Sequence, residues 1–81
     1  MTPLNTIKFN ELCDYLYGHA VFGFTAVKRK HVIIHTFRRY YLKIEIELKV
    51  KVMRKTKYIM SIICNDTVYT DFDEIKKLIE R

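Results

Sequence analysis

The sequence has few of the residues that flexible loops and exposed catalytic turns require. Its 81 residues include two glycines, one proline and a single serine, whereas 49% of the chain is hydrophobic. A chain with so little Gly, Pro and Ser and so many core-forming side chains is too apolar to remain disordered. We therefore expect one domain over residues 1–81, close to the lower size limit for a single hydrophobic core.

Cysteine and histidine are also scarce, which argues against a disulfide framework and a metal site. The only cysteines, Cys13 and Cys64, lie far apart in the sequence and in phase with apolar neighbours, so we expect two reduced core thiols. His31 and His35 would share one strand face at a separation of roughly 13 Å, too far for one metal ion. The sequence predicts no metal and no cofactor.

Signals for catalysis and for membrane insertion are missing as well. The one serine, Ser61, lies in the most hydrophobic segment, and the chain has neither a Gly-rich phosphate loop nor a G-x-S-x-G motif. No apolar run approaches the 18 residues of a membrane span, and the N-terminus carries no signal-peptide pattern. We expect a cytoplasmic protein that is not an enzyme and does not bind membranes.

The strongest pattern present is an alternation from Tyr40 to Val52, in which every second residue is apolar. Side chains alternate across a β-strand, so a period of two predicts a strand with one buried and one exposed face. Such a strand would span about 43 Å, whereas ordinary strands have about 5–6 residues. A second chain that pairs with this strand or with a sheet edge would cover the excess, so a homodimer is one option.

Two helices flank the strand-forming region. Phe9, Leu12, Cys13 and Leu16 recur at helical spacing, which predicts a helix that begins at a cap on Asn5 or Thr6 and ends near Tyr17, with Gly18 in the left-handed conformation after it. Near the C-terminus, Asp71 and Glu74 have the spacing of a capping box. The buried stripe of this second helix is expected to be Phe72, Ile75, Leu78 and Ile79.

The remaining apolar segments predict further strands. They are 20–28, with Gly23 at a bulge or a close approach, 32–37, and 58–64, which is apolar on both phases and expected to be buried on both sides. Asn65 and Asp66 indicate a turn before a short edge strand at 67–70. The fold class is α+β: a small antiparallel meander of three to five strands, one unusually long, with an N-terminal and a C-terminal helix.

Charge is distributed unevenly along the chain. The formal net charge is +6, yet residues 28–57 hold eleven of the fifteen basic residues and only two acids, Glu45 and Glu47. The flanking segments carry a slight excess of acid. Such an asymmetry is informative about partners, and it indicates a polyanionic one.

The topology predicts where these basic residues meet. In an antiparallel meander alternate turns lie at the same end of the sheet, so the breaks at 28–31 and 54–57 should adjoin if a turn at Arg38–Arg39 separates two strands. A bulge at Arg38–Arg39 is the alternative, and it would prevent this clustering. The residues expected to contact a partner are Lys28, Arg29, Lys30, Arg38, Arg39, Tyr41, Lys49, Lys51, Arg54, Lys55 and Lys57.

Two functions suit such a surface. The first is a regulatory or inhibitory binding protein that docks on an acidic protein surface, because positive charge steers this kind of association. The second is direct binding of duplex or structured nucleic acid, because cations neutralise phosphates and nearby aromatic side chains stack on bases. A short chain rich in Lys, Ile and Tyr also suits an accessory factor of a phage or mobile element.

Overall fold

A five-stranded antiparallel sheet and two helices make up the fold, as the sequence predicts. The computed structural model describes residues 1–41 and 43–80, apart from the side chains of Tyr41 and Ile44. The elements in chain order are a short 3₁₀ helix (Leu4–Thr6), α1 (Phe9–Gly18), β1 (Phe22–Lys28), β2 (Val32–Tyr41), β3 (Ile44–Met53), β4 (Ile59–Cys64), β5 (Thr67–Tyr69) and α2 (Phe72–Ile79).

The strands lie side by side in chain order, and both helices cover one face of the sheet. That face is built by one phase of each inner strand, and α1 and α2 close it with the apolar stripes that their spacing predicts. The other face, which we call the open face, has no helix over it among the described residues. The buried core consists of Leu4, Leu12, Leu16, Val21, Phe37, Leu48, Val50, Val52, Ile59, Ile62, Cys64, Phe72, Ile75 and Ile79.

The long alternating segment belongs to two strands, which corrects its predicted bounds. β2 ends at Tyr41 and β3 begins at Ile44, and these two residues pair with each other. Each strand has ten residues, longer than the usual strand, whereas a single strand from Tyr40 to Val52 is wrong. Because the connection holds two residues, the buried phase changes from odd positions in β2 to even ones in β3, and Tyr40 is 72% exposed.

Arg38 and Arg39 form neither a turn nor a bulge. They lie inside β2, where Arg38 pairs with Glu47 and Arg39 with Ile46 in an unbroken register with β3. β2 and β3 pair along their whole length, so the chain stays extended at Arg38 and Arg39. Neither arginine is a residue that favours a turn. The connection that the topology requires follows Tyr41 instead, and Leu42 lies outside the described residues.

Both helices form. The end of α1 and the start of α2 lie where the sequence predicts them, but α1 starts later than predicted. α1 begins at Phe9, because residues 7 and 8 are extended and the Ile59 N–H donates to the Ile7 carbonyl at 3.0 Å. Gly18 is the last helical residue, and it is Ala20 that takes the left-handed conformation, with φ of 58°. Asp71 caps α2 and accepts from the N–H groups of Asp73 (3.1 Å) and Thr2 (2.9 Å).

Gly23 is a point of close approach. A Cβ added to Gly23 would lie 3.0 Å from Cε1 of Phe37, and the register with β2 shifts between Gly23 and Thr25 to leave Phe24 as a bulge. The prediction for β4 is partly wrong: Ile59, Ile62 and Cys64 are buried, but Ser61 and Ile63 on the other phase are only half-buried. Met60, which a register shift opposite Lys51 and Val52 leaves unpaired, is 40% exposed. β4 therefore has one buried face, because no second layer covers the open face.

The two cysteines are free, as predicted. Cys64 is buried and Cys13 is half-buried. Burial raises the pKa of both thiols, and the charge of Asp14 raises that of Cys13 further. They behave as small core side chains in the reduced form. No helix within residues 1–41 and 43–80 has the length and apolarity to cross a membrane.

Candidate docking surface

Two basic turns meet at one end of the sheet. The β1–β2 connection and the β3–β4 connection are separated by two antiparallel strands, so they lie on the same side. The Arg54 N–H donates to the His31 carbonyl at 3.0 Å, and the Arg54 guanidinium donates to the Arg29 carbonyl at 3.1 Å. We define the basic end by the six residues that this contact gathers: Lys28, Arg29, Lys30, Arg54, Lys55 and Lys57.

The start of α1 holds the second of these turns in place. Lys57 is left-handed, with φ of 68°, and its N–H donates to the Met53 carbonyl at 2.9 Å. Its own carbonyl accepts from the Phe9 N–H at 2.8 Å. This hydrogen bond satisfies an N–H at the start of α1 that has no partner within the helix, and it fixes the β3–β4 connection against the helix. The basic end is thus attached to the core by backbone hydrogen bonds.

The charges of the basic end are not neutralised within the molecule. All six side chains are exposed, and none forms an ion pair with another described residue. Lys8 adds a neighbouring cation, because its ammonium lies 5.6 Å above the ring of Tyr58, the residue that follows the turn. Six cations on two joined turns create a concentrated positive potential, which attracts anionic groups.

The pKa of His35 is affected both by its burial and by the charge of the basic end. Its ring stacks on Phe9 with the centroids 4.0 Å apart, on the helix-covered face. Burial lowers its pKa, and the positive charge of Lys57 lowers the pKa further. Both effects disfavour the imidazolium, so His35 is a neutral packing residue near neutral pH.

Arg38, Arg39 and Tyr41, which the sequence also predicts as partner contacts, lie away from the basic end. The Arg38 Nε is 2.8 Å from Glu45 and its terminal nitrogen is 3.3 Å from Glu47, while the guanidinium lies 4.4 Å above the ring of Phe24. Arg39 is half-buried on the covered face and donates to the Ile79 carbonyl at the end of α2. The side chain of Tyr41 lies outside the described part.

We call this second region the hairpin end and define it by Arg38, Arg39, Glu45 and Glu47. Its arginines are held by carboxylates and by a helix carbonyl, which are the partners that a guanidinium prefers. The structure therefore separates the predicted site residues into two groups with different surroundings.

Lys49 and Lys51 project from β3 on the open face, between the two ends. Lys51 pairs across the ladder with Ile34 and Lys49 with Thr36. Lys49 borders a shallow depression that Glu47 and Asp66 also line. The two lysines extend the positive surface from the basic end toward the middle of the sheet.

Sequence reasoning missed the apolar residues of the open face. Phe22, Tyr40 and Val68 are 63%, 72% and 60% exposed, and Phe24 and Val27 are also exposed. In β1 the positions facing the helices are the small residues Gly23 and Ala26, because Phe37 and its neighbours fill that space. The alternation of small and large residues was the signal that the large ones point to the open face.

The chain matches no protein-family model, no curated protein and no solved structure. Its function therefore has to be argued from its own surface. Among the described residues no group of three or more His, Cys, Asp or Glu is placed to hold a metal ion. The basic end is the chemically most distinctive surface of this part of the chain.

Proposed function

We propose that the protein is a small non-catalytic regulatory or inhibitory protein that docks its basic end on an acidic surface of another protein. The observation that carries this proposal is the joining of two turns into one exposed group of six cations without carboxylate partners in the described chain. Unpaired cations of this kind speed association with acidic surfaces and determine its orientation. The free cysteines suit a reducing compartment, so we propose a cytoplasmic location.

The separation of cations from stacking aromatics favours a protein partner over nucleic acid. Surfaces that bind single strands combine a basic groove with aromatic rings on which bases stack. Here Phe22 and Tyr40 lie toward the hairpin end, and six strand positions separate Phe22 from Lys28, about 20 Å by strand rise. Tyr58 is the aromatic residue beside the basic end, and the Lys8 ammonium lies over its ring.

The two aspartates at the start of α2 have structural partners, which supports docking over catalysis. Asp71 and Asp73, which could otherwise suggest an acid–base pair, hold the N-terminus to α2. Asp71 accepts from Thr2, and this hydrogen bond, followed by the one from Asp73, lowers its pKa. The Asp73 carboxylate lies 3.3 Å from the Met1 amine. With its pKa lowered in this way, Asp71 is ionised near neutral pH and carries no proton to donate.

Nucleic-acid binding is the second candidate, and Lys49 and Lys51 favour it. They continue the cations of the basic end along the open face, as a track for a phosphate backbone would require. Each neutralised phosphate would contribute a slope of about −0.9 to the dependence of log K on log salt. A protein partner engaged by the basic end alone leaves both lysines free.

Fluorescence anisotropy with labelled probes distinguishes the two candidates. The probes are poly-L-glutamate as a carboxylate polyanion, a DNA duplex, an RNA duplex and single strands of each, at low and at physiological salt. We expect poly-L-glutamate to bind at physiological salt and every nucleic acid to lose affinity equally. Tight binding of one nucleic-acid form at physiological salt, with weaker binding of poly-L-glutamate, would overturn the proposal in favour of the second candidate.

A further inference from the structure

The open face of β3 carries an ordered series of charges. Glu45 and Glu47 come first, and Lys49 and Lys51 follow on the same face, because the alternate positions such as Leu48 are buried under the helices. The face thus has an acidic half toward the hairpin end and a basic half toward the basic end. β3 is the central strand of the five, so this series runs through the middle of the open face.

This series is complementary to itself in one orientation only. A two-fold axis that crosses the strands near Leu48, parallel to the sheet, places a second copy face to face with antiparallel strands. Glu47 then faces Lys49 of the second copy, and Glu45 faces its Lys51. An axis parallel to the strands would instead place each Glu against a Glu. From this complementarity we propose that the open face binds the open face of a second copy.

The ion pairs that Arg38 makes within one copy leave acceptor oxygens on Glu45 and Glu47 for these contacts. Arg38 contacts Oε1 of Glu45 and Oε2 of Glu47, so the other oxygen of each carboxylate remains to accept a lysine ammonium. Two sheets that pack face to face lie about 10 Å apart, a distance that paired Lys and Glu side chains bridge. The pairs of Glu and Lys would sit at the centre of the interface and fix its register.

Apolar side chains flank the charged series and meet one another in the same orientation. The rotation carries Tyr40 over Ile34 of the second copy, since Tyr40 pairs with Glu45 and Ile34 with Lys51 in the β2–β3 ladder. It also carries the exposed Phe22, which pairs with Arg38, over Thr25 of the second copy, the residue that follows Phe24. Covering these rings supplies the hydrophobic contribution that surface ion pairs lack.

The arrangement also keeps the two basic ends apart. Antiparallel packing places the basic end of each copy near the hairpin end of the other, where Glu45 and Asp66 lie together with Arg38 and Lys43, and far from the other basic end. β2 and β3 have strand neighbours on both sides and present no free edge.

Swapping the charges of residues 47 and 49 tests the proposed alignment of the two copies, in which Glu47 faces Lys49 of the second copy. Glu47→Lys places like charges at both symmetry-related contacts, and Lys49→Glu does the same with the opposite sign. The double variant, Glu47→Lys with Lys49→Glu, restores opposite charges only in the antiparallel register. Glu74→Lys and Lys77→Glu, both on α2, make the same changes of net charge outside the open face and serve as controls, with thermal melting followed by circular dichroism to confirm folding.

Sedimentation equilibrium of all five variants and the wild type gives the dimerisation constants. We expect a wild-type dimer, at least about tenfold weaker association in each single variant, and recovery to within about threefold in the double variant. The controls should match the wild type. A wild type that stays monomeric at high micromolar concentration, or a double variant as weak as the singles, would overturn the proposal. The basic end remains exposed in the dimer, so binding of poly-L-glutamate is an independent measurement.

Discussion

The basic end and the hairpin end both carry basic side chains, but in opposite surroundings. At the hairpin end, Arg38 bridges two carboxylates and Arg39 donates to the last turn of α2. At the basic end, Arg29 and its neighbours face solvent, and the contact between the turns runs from a guanidinium to a backbone carbonyl. The comparison teaches that the number of cations in a segment does not identify a docking site. The availability of internal acceptors decides which cations remain for a partner.

The two ends also differ in packing. Beside the hairpin end, a Cβ added at Gly23 would lie 3.0 Å from the Phe37 ring and 3.3 Å from the Tyr17 hydroxyl, whereas the side chains of the basic end are exposed to solvent. The hairpin end should therefore respond to substitution through stability, and the basic end through binding. The predictions below test this division.

The largest expected effect on stability is at Gly23. Gly23→Ala places a Cβ 3.0 Å from the Phe37 ring, and we expect a loss of about 1–3 kcal/mol of unfolding free energy from the resulting overpacking. Urea denaturation measures it. Gly18→Ala is the matched control, because no atom lies within 4 Å of its added Cβ, and a helical Ala should leave stability unchanged or raise it by up to about 1 kcal/mol. Equal losses of unfolding free energy in Gly23→Ala and Gly18→Ala would contradict the close packing assigned to Gly23.

Arg39 should show the next largest effect. Arg39→Ala removes a charged donor from the half-buried Ile79 carbonyl, and we expect a loss of about 1–2 kcal/mol of unfolding free energy. Arg29→Ala, at the exposed basic end, should change stability by less than about 0.5 kcal/mol. If Arg29→Ala destabilised the fold as much as Arg39→Ala, the arginines of the two ends would not differ in structural role.

The fold could be predicted from the sequence to the level of its elements. Helical spacing in 9–16 and 72–79, the apolar runs between them and the turn at Asn65–Asp66 gave both helices and the meander order. The hairpin connection after Tyr41 could not be found, because the regular alternation continued through it. Tyr40 matched the buried phase of β3 by coincidence, although it lies on the exposed face of β2.

The candidate site could be predicted in part. The turns at 28–31 and 54–57 lie together, since two strands separate them, as the topology required. Arg38 and Arg39, also predicted as partner contacts, have internal partners in Glu45, Glu47 and the Ile79 carbonyl, which the sequence around them does not reveal. The exposure of Phe22 and Phe24 was missed, because an apolar segment such as 20–28 has the composition of a buried inner strand although β1 is an edge strand.

The smallest effect concerns pH and shows how far the potential of the basic end reaches. The pKa of His35 in the folded state lies below its unfolded value of about 6.5, so the folded state binds fewer protons. The stability that this provides is present above about pH 6.5 and is lost as the pH falls through the folded-state pKa.

Urea midpoints between pH 7.5 and 5 should therefore fall in the wild type and fall less in His35→Phe, which keeps a ring on Phe9. His31→Gln, at the exposed turn of the basic end, should follow the wild type. A wild type and His35→Phe with the same pH profile would contradict the assignment of His35 as a buried neutral ring.

The most direct test of the proposed docking site compares two variants of equal net charge. The basic-end variant carries Arg29→Gln, Lys30→Gln and Lys55→Gln and keeps Arg54, which joins the two turns. The control carries Lys43→Gln, Lys76→Gln and Lys77→Gln. Binding of labelled poly-L-glutamate at physiological salt should weaken at least about tenfold in the basic-end variant, roughly 1.4 kcal/mol, and by less than about threefold in the control. Equal weakening in both variants would mean that only net charge matters, and it would contradict a docking site at the basic end.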